Sequence, residues 1–179
     1  MSYAVTQEDQ LLVAIHKQCA MVRVRGRGSF KNAPTLKRFG VSAIEKGCAQ
    51  IVLDMDECHS MDSTFMGVLA GLALRLHRES AGQLVAINLT PKTLSLLDTL
   101  GLTRLIEAHE VGAAAVALAA SLGDIFDVAG LVEDAPDRRV TLETMIEAHQ
   151  NLVDATPDNL TRFKDVLTYL TQDLKQIEG

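Results

Sequence analysis

The chain alternates between apolar runs of strand length and amphipathic segments of helix length. Residues 11–16 form an apolar run, and residues 20–25 place valines on one face and arginines on the other, as a half-exposed strand does. Residues 50–55 and 84–89 are mainly apolar, which indicates buried strands. A further short strand is predicted over residues 104–109.

Three predicted helices separate these strands. They cover residues 32–47, 63–82 and 90–101, and each has a capping residue at its start and a glycine at its end. Ser63 is the predicted N-cap of the second helix. The order β-β-α-β-α-β-α-β predicts an α/β fold in which a mixed sheet with parallel neighbours carries right-handed crossover helices.

The pattern changes in the last third of the chain. Residues 121–139 combine glycine, proline and several charges, which predicts a linker between a domain over residues 1–120 and a C-terminal segment over 140–179. That segment shows two apolar stripes of helical period, Leu142–Val153 and Leu160–Ile177, which predict a helical hairpin. Two such helices cannot cover both stripes alone. We therefore expect the hairpin to lie on the open face of the sheet or, preferably, on a second copy in a homodimer.

Composition limits the kinds of partner. The 179 residues are 47% hydrophobic but only 4% aromatic, so the core must be aliphatic. The net charge of −6 argues against nucleic acid. Cys19, Cys48 and Cys58 form no CxxC pair, so neither a disulfide framework nor a zinc site is expected. No secretory signal or membrane span is apparent, and the chain is expected to be cytoplasmic with no membrane partner.

Residues 51–76 carry the most informative motif. A strand ends at Asp54, an acidic loop follows, and the steps Met61-Asp62-Ser63 and Gly67-Val68-Leu69 open the next helix. This order resembles the STAS domain of bacterial anti-sigma factor antagonists. The stretch LSLLDTLGLTRLIE over 95–108 is similar to the later helix, Gly-Leu turn and final strand of that family. The resemblance covers about residues 8–120.

The resemblance implies a regulatory module without catalysis or cofactor. Its partners would be an anti-sigma factor that is also the serine kinase for Ser63, and a phosphoserine phosphatase that reverses the modification. A helix N-terminus tolerates the added phosphate, while nearby carboxylates would make a phosphorylated surface repel an acidic partner. Thr64 and Phe65 replace a Ser-like residue and a glycine that are common in the family. The predicted partner-binding residues are Asp54, Asp56, Asp62, Thr64 and Met66.

Two other functions are compatible with the same motif. Asp54 and Asp56 resemble the DxD motif of haloacid-dehalogenase-type phosphatases, in which the first Asp is the nucleophile and the second the acid. The lysine that such enzymes place well after the threonine is missing, because only Lys92 lies between Thr90 and Lys164. Alternatively, the chain is a structural module of a signalling assembly and Ser63 is never modified.

Other polar residues give weaker indications. A metal site of Asp54, Asp56, His59 and Asp62 is not favoured, because a short acidic loop fixes no ligand geometry. The remaining histidines, among them His149, have no evident serine or cysteine partner, so a hydrolytic triad is not predicted. The arginines at 23, 25 and 27 are expected to form the wet face of an edge strand.

Overall fold

The computed structural model describes residues 9–112 and 136–179. The strands are β1 (Gln10–His16), β2 (Cys19–Gly28), β3 (Gln50–Asp54), β4 (Cys58–Met61), β5 (Gln83–Leu89) and β6 (Glu107–Glu110). The α-helices are α1 (Ala33–Glu45), α2 (Ser63–Ser80), α3 (Pro91–Thr99), α4 (Arg138–Ala155) and α5 (Asn159–Glu178), and a 3-10 helix spans Leu102–Arg104.

The strands form one mixed sheet in the order β1-β2-β3-β5-β6. Strands β1 and β2 are antiparallel, and the other neighbours are parallel. This confirms the predicted α/β fold and its C-terminal helical pair. The position of β2 between β1 and β3 contradicts the expected edge strand for the arginine row. An internal strand still leaves these side chains at a polar end of the sheet, where two of them form ion pairs.

Strand β4 lies where the sequence predicted only a loop. It pairs in parallel with the C-terminal part of β2, through the register Gly26↔Cys58 and Gly28↔Met61. Four residues with two polar side chains in the middle give too short a pattern to indicate a strand. Strand β4 leads into the first turn of α2, so its pairing with β2 helps to position Ser63.

The principal core lies between the sheet and the helices, and it is aliphatic as predicted. Its largest fully buried members include Leu36 of α1, Leu53 of β3, and Phe65 and Leu69 of α2. A smaller cluster on the opposite face of the sheet contains Met21, Val52, Val85 and Ile87.

Helix α4 lies against α2 of the same chain, and α5 packs against α4. Helix α4 begins at Arg138, inside the predicted linker, and most of that linker lies outside the described residues. Ala148 and Leu152 of α4 are fully buried and belong to the principal core. The buried side of α4 is therefore covered by α2, and not by the open face of the sheet or by a second copy of the chain. The division of the chain into domains stays a prediction, as does the homodimer.

Candidate functional site

The first turn of α2 is held by Asp62 rather than by Ser63. One carboxylate oxygen of Asp62 accepts a hydrogen bond from the backbone N–H of Phe65 at 2.9 Å, and the other accepts from the N–H of Phe30 at 2.8 Å. Asp62 is thus the N-cap, and Ser63 is the first residue of the helix. The predicted cap is wrong by one residue, because aspartate caps a helix as well as serine does.

Because Ser63 is not needed as a cap, its hydroxyl is free for another contact. Ser63 Oγ lies 3.0 Å from Nε2 of His149 on α4. The other ring nitrogen, Nδ1, lies 2.6 Å from the backbone carbonyl of Met145. A carbonyl oxygen only accepts, so Nδ1 carries the proton. In the neutral ring Nε2 is then the acceptor, and Ser63 donates to it.

The environment of His149 favours this neutral form. Only 3% of the residue is exposed, and its ring lies 5.0 Å from that of Phe163 on α5, measured between centroids. Burial lowers the pKa of His149, and it outweighs the hydrogen bond to Met145 and the negative charge of Asp62, which raise the pKa. Ser63 is half-buried next to this ring, and its hydroxyl is engaged within the chain.

Two glycines allow α4 to lie so close to α2. A Cβ atom on Gly67 would come within 2.2 Å of the carbonyl oxygen of Ala148, and one on Gly71 within 2.2 Å of the side-chain nitrogen of Asn151. Asn151 also donates a hydrogen bond from that nitrogen to the carbonyl of Gly67 at 3.2 Å. The interface therefore depends on the lack of side chains at these two positions of α2.

The acidic loop before β4 is organised around Asp54. Its carboxylate accepts hydrogen bonds from Nε of Arg23 and from the side-chain amide of Asn88, both at 2.9 Å, and from the backbone N–H of Asp56 at 3.1 Å. Asp54 is 4% exposed. Glu57 forms a second ion pair with Arg25 at 3.0 Å.

The predicted partner-binding residues separate into two groups. Asp56 is exposed and Asp62 is half-buried, so both can be reached from solvent. Asp54, Thr64 and Met66 are 4%, 3% and 5% exposed, respectively. A direct contact of these three with a partner would require a rearrangement, and their role in binding stays a prediction.

The geometry does not favour the phosphatase alternative. Asp54 is 4% exposed and its carboxylate accepts hydrogen bonds from Arg23 and Asn88, so it is not presented to a phosphorylated substrate as a nucleophile would be. Asp56 contacts Asp54 through its backbone N–H, while its side chain is exposed. No group of three or more His, Cys, Asp or Glu side chains that could hold a metal ion occurs within residues 9–112 and 136–179.

Sequence reasoning missed His149 as a site residue. It lies 86 positions from Ser63, and in the sequence it is one polar residue within an apolar helical stripe. The available signal was the pair Gly67 and Gly71, because glycines inside a helix usually have a packing reason. That pair indicates a close neighbour for α2, although it does not identify α4.

Comparisons with known proteins agree with this fold. Residues 11–107 match the family model described as "Mlab, STAS domain". A crystal structure of a candidate anti-sigma factor antagonist from Thermotoga maritima is similar, with a TM-score of 0.53 and 18% identity over 60% of this chain and 92% of the other. An anti-sigma factor antagonist from Mycobacterium paratuberculosis has a TM-score of 0.53 and 18% identity over 62% of this chain and 93% of its own.

Sequence identities this low establish the shared fold and nothing more. A search of curated protein sequences gave no match. Among the helices of the described residues, none combines the length and the apolar character that crossing a membrane requires. The family model covers more than half of the chain, including the whole motif around Ser63. The chain therefore belongs to the STAS domain family.

Proposed function

We propose that this protein is a non-catalytic regulatory binding module of the anti-sigma-factor-antagonist type, switched by phosphorylation of Ser63. The observation that carries the proposal is the position of the Ser63 hydroxyl in the first turn of α2, directly after β4 in a STAS fold. The partners would be an anti-sigma factor that acts as serine kinase and a phosphatase that removes the phosphate. The proposed location is the cytoplasm.

The electrostatics of this position support a switch that leaves α2 itself intact. The start of α2 presents unpaired backbone N–H groups and the positive end of the helix dipole, both of which favour an anion. A phosphate adds about −1.5 to −2 charges beside Asp62. The local surface beside Asp62 then becomes strongly negative, and an acidic partner would be repelled.

A test compares the partners of charge variants. Wild-type protein, Ser63→Ala and Ser63→Asp are used as bait in the native lysate, with Ser95→Asp on the exposed face of α3 as the matched control. Ser63→Asp should lose a protein that wild type, Ser63→Ala and Ser95→Asp retain. Phosphosite mapping of protein from the native host should place the phosphate on Ser63. A phosphate found elsewhere, with Ser63 unmodified, would overturn the proposal.

Self-association through α5 is a second part of the proposal. Its exposed apolar side chains include Leu160 at 51%, Val166 at 38%, Tyr169 at 72% and Ile177 at 39%. At 100° per residue, Leu160 lies on a different side of α5 from the other three, so Val166, Tyr169 and Ile177 form the surface that α5 would offer to a second copy. A two-fold dimer that pairs α5 with its equivalent would bury them.

A further inference from the structure

We propose that the helical pair α4–α5 is an autoinhibitory cover for Ser63, and that the kinase and the binding partner reach this surface only after the cover has moved away. The proposal rests on the proposed function of Ser63 and adds a regulation of that site. In the structure the cover is closed, because α4 lies across the first turns of α2.

The hydroxyl of Ser63 is not presented as a kinase substrate in the closed form. A kinase must place the oxygen in line with the γ-phosphate of ATP and next to its own catalytic base. Here the hydroxyl proton is directed to Nε2 of His149, 3.0 Å away, and that ring is itself buried against Phe163. A kinase active site cannot enclose Ser63 while His149 occupies this position.

Residues of both helices favour the close contact between α2 and α4. Gly67 and Gly71 leave room for the backbone of Ala148 and the amide of Asn151. Ala148 and Leu152 are fully buried there. Glycine in a helix interior is less favourable than alanine, so two of them on one face of α2 need a compensating interaction. The packing of α4 against α2 supplies that interaction.

The outer face of α4 is exposed to solvent in the closed form. Gln150 is exposed on the side opposite the contact, and Glu147, also exposed, forms an ion pair with Lys37 of α1 at the rim. Exposed ion pairs of this kind contribute little to stability. The polar rim therefore gives little resistance to opening, and the buried contacts with α2 determine how long the cover stays closed.

Phosphorylation and closure exclude each other in this geometry. In the reaction the Ser63 oxygen forms a bond to the γ-phosphorus of ATP, ADP leaves, and the hydroxyl proton passes to the base of the kinase. A phosphate on Ser63 cannot fit in the 3.0 Å space that separates the oxygen from His149. The modified chain must keep α4 away from this end of α2. Opening thus precedes phosphorylation, and phosphorylation maintains it.

The first experiment measures opening without any kinase. Gly67→Ala in the full chain adds a methyl group that collides with the backbone of Ala148, whereas Gly112→Ala adds one in open surroundings and is the matched control. Backbone hydrogen exchange of residues 138–155 should be about tenfold faster in Gly67→Ala than in wild type or the control. Equal exchange in all three proteins would contradict the cover.

The second experiment measures phosphorylation of Ser63 by native lysate supplied with labelled ATP. His149→Ala and Gly67→Ala should be modified about tenfold faster than wild type, and His77→Ala on the exposed side of α2 should match wild type. In the double variant Gly71→Cys/Asn151→Cys, an oxidised cross-link should slow the modification about tenfold, and reduction should restore it. The side chains at 71 and 151 are close enough, since a Cβ on Gly71 would lie 2.9 Å from Cγ of Asn151.

The outcomes distinguish the two proposals. If Ser63 is labelled at the same rate in the opened, wild-type and cross-linked forms, the cover is refuted while the phospho-switch stands. If Ser63 is labelled in none of them, including the opened variants, the phospho-switch is wrong, and the cover as a regulator of phosphorylation is rejected with it.

Discussion

The carboxylate of Asp54 lies 2.9 Å from the guanidinium nitrogen of Arg23, its register partner on the neighbouring strand. Asn88 completes the contact from β5, where its backbone φ of 59° lies in the left-handed region. Three strands of the sheet are thus joined through one buried carboxylate. This arrangement indicates a structural role for Asp54.

Asp54→Ala should destabilise the fold by about 2 to 4 kcal/mol, because it removes the buried carboxylate that accepts hydrogen bonds from both Arg23 and Asn88. The measurement is urea unfolding followed by circular dichroism. Asp56→Ala, whose side chain is exposed, is the control and should change the free energy of unfolding by less than about 0.5 kcal/mol. Equal effects of the two substitutions would show that Asp54 does not organise the sheet.

Pure protein should show no intrinsic phosphatase or ATPase activity. The reason is that the carboxylate of Asp54 is buried and hydrogen-bonded to neighbouring donors, and the lysine of the phosphatase motif is missing. The assay uses p-nitrophenyl phosphate and ATP with magnesium. Hydrolysis that depends on magnesium and disappears in Asp54→Asn would establish the phosphatase alternative instead.

Acidification should weaken the fold through His149. Because burial lowers its pKa, the folded chain binds this proton at a lower pH than the unfolded chain does. The free energy of unfolding should therefore fall as pH drops below about 6.5, by at most about 1.4 kcal/mol per pH unit, until the lower folded-state pKa is reached. Urea unfolding at several pH values measures this.

The control for the pH effect is His149→Gln, which keeps a polar side chain but does not titrate. The difference in stability between wild type and His149→Gln should depend on pH in this range, with wild type losing relative stability as the solution becomes acidic. A difference that stays constant from neutral to acidic pH would show that His149 has no altered pKa.

Gly28→Ala should destabilise the protein by roughly 1–3 kcal/mol, the usual cost of overpacking a core. A Cβ at Gly28 would lie 2.6 to 2.8 Å from ring atoms of Phe65, which is fully buried and cannot move aside easily. Thermal unfolding measures the loss. Gly112→Ala is the matched control, and an equal melting temperature for both variants would contradict the packing argument.

The dimer proposal predicts that Tyr169→Asp converts a dimer into a monomer, because Tyr169 is the most exposed large apolar side chain of α5, at 72%. Light scattering on the full chain gives the mass of each form. His59→Asp, an exposed substitution distant from α5 in the sequence, should leave the dimer intact. A wild-type chain that is monomeric at high concentration would rule the dimer out.

The fold was predictable because its strands and helices have strong local patterns. The buried strands β3 and β5 are nearly continuous apolar runs, and the capping residues and glycines of α1–α3 mark their ends within a few residues. Strand β4 was not predictable, since its pairing with Gly26–Gly28 is made across the fold and its own four residues show no clear period.

The site was only partly predictable. Local sequence indicates Ser63 and the acidic loop, because strand end, loop and helix start follow one another along the chain. The contact of Ser63 with His149 is nonlocal. The apolar stripe on α4 indicates only that some surface covers this helix. Which surface does so depends on the complementary shapes of two helices, which no local pattern encodes.

The distance along the sequence between Ser63 and His149 also affects newly made protein. The ribosome synthesises Ser63 before His149, with 86 positions between them. At about 5 to 20 residues per second, roughly 4 to 17 seconds pass during which α2 exists and α4 does not. During this interval the nascent chain has no means of protecting its own serine. A kinase present during cell-free translation should therefore modify more Ser63 than the same kinase added after chain release.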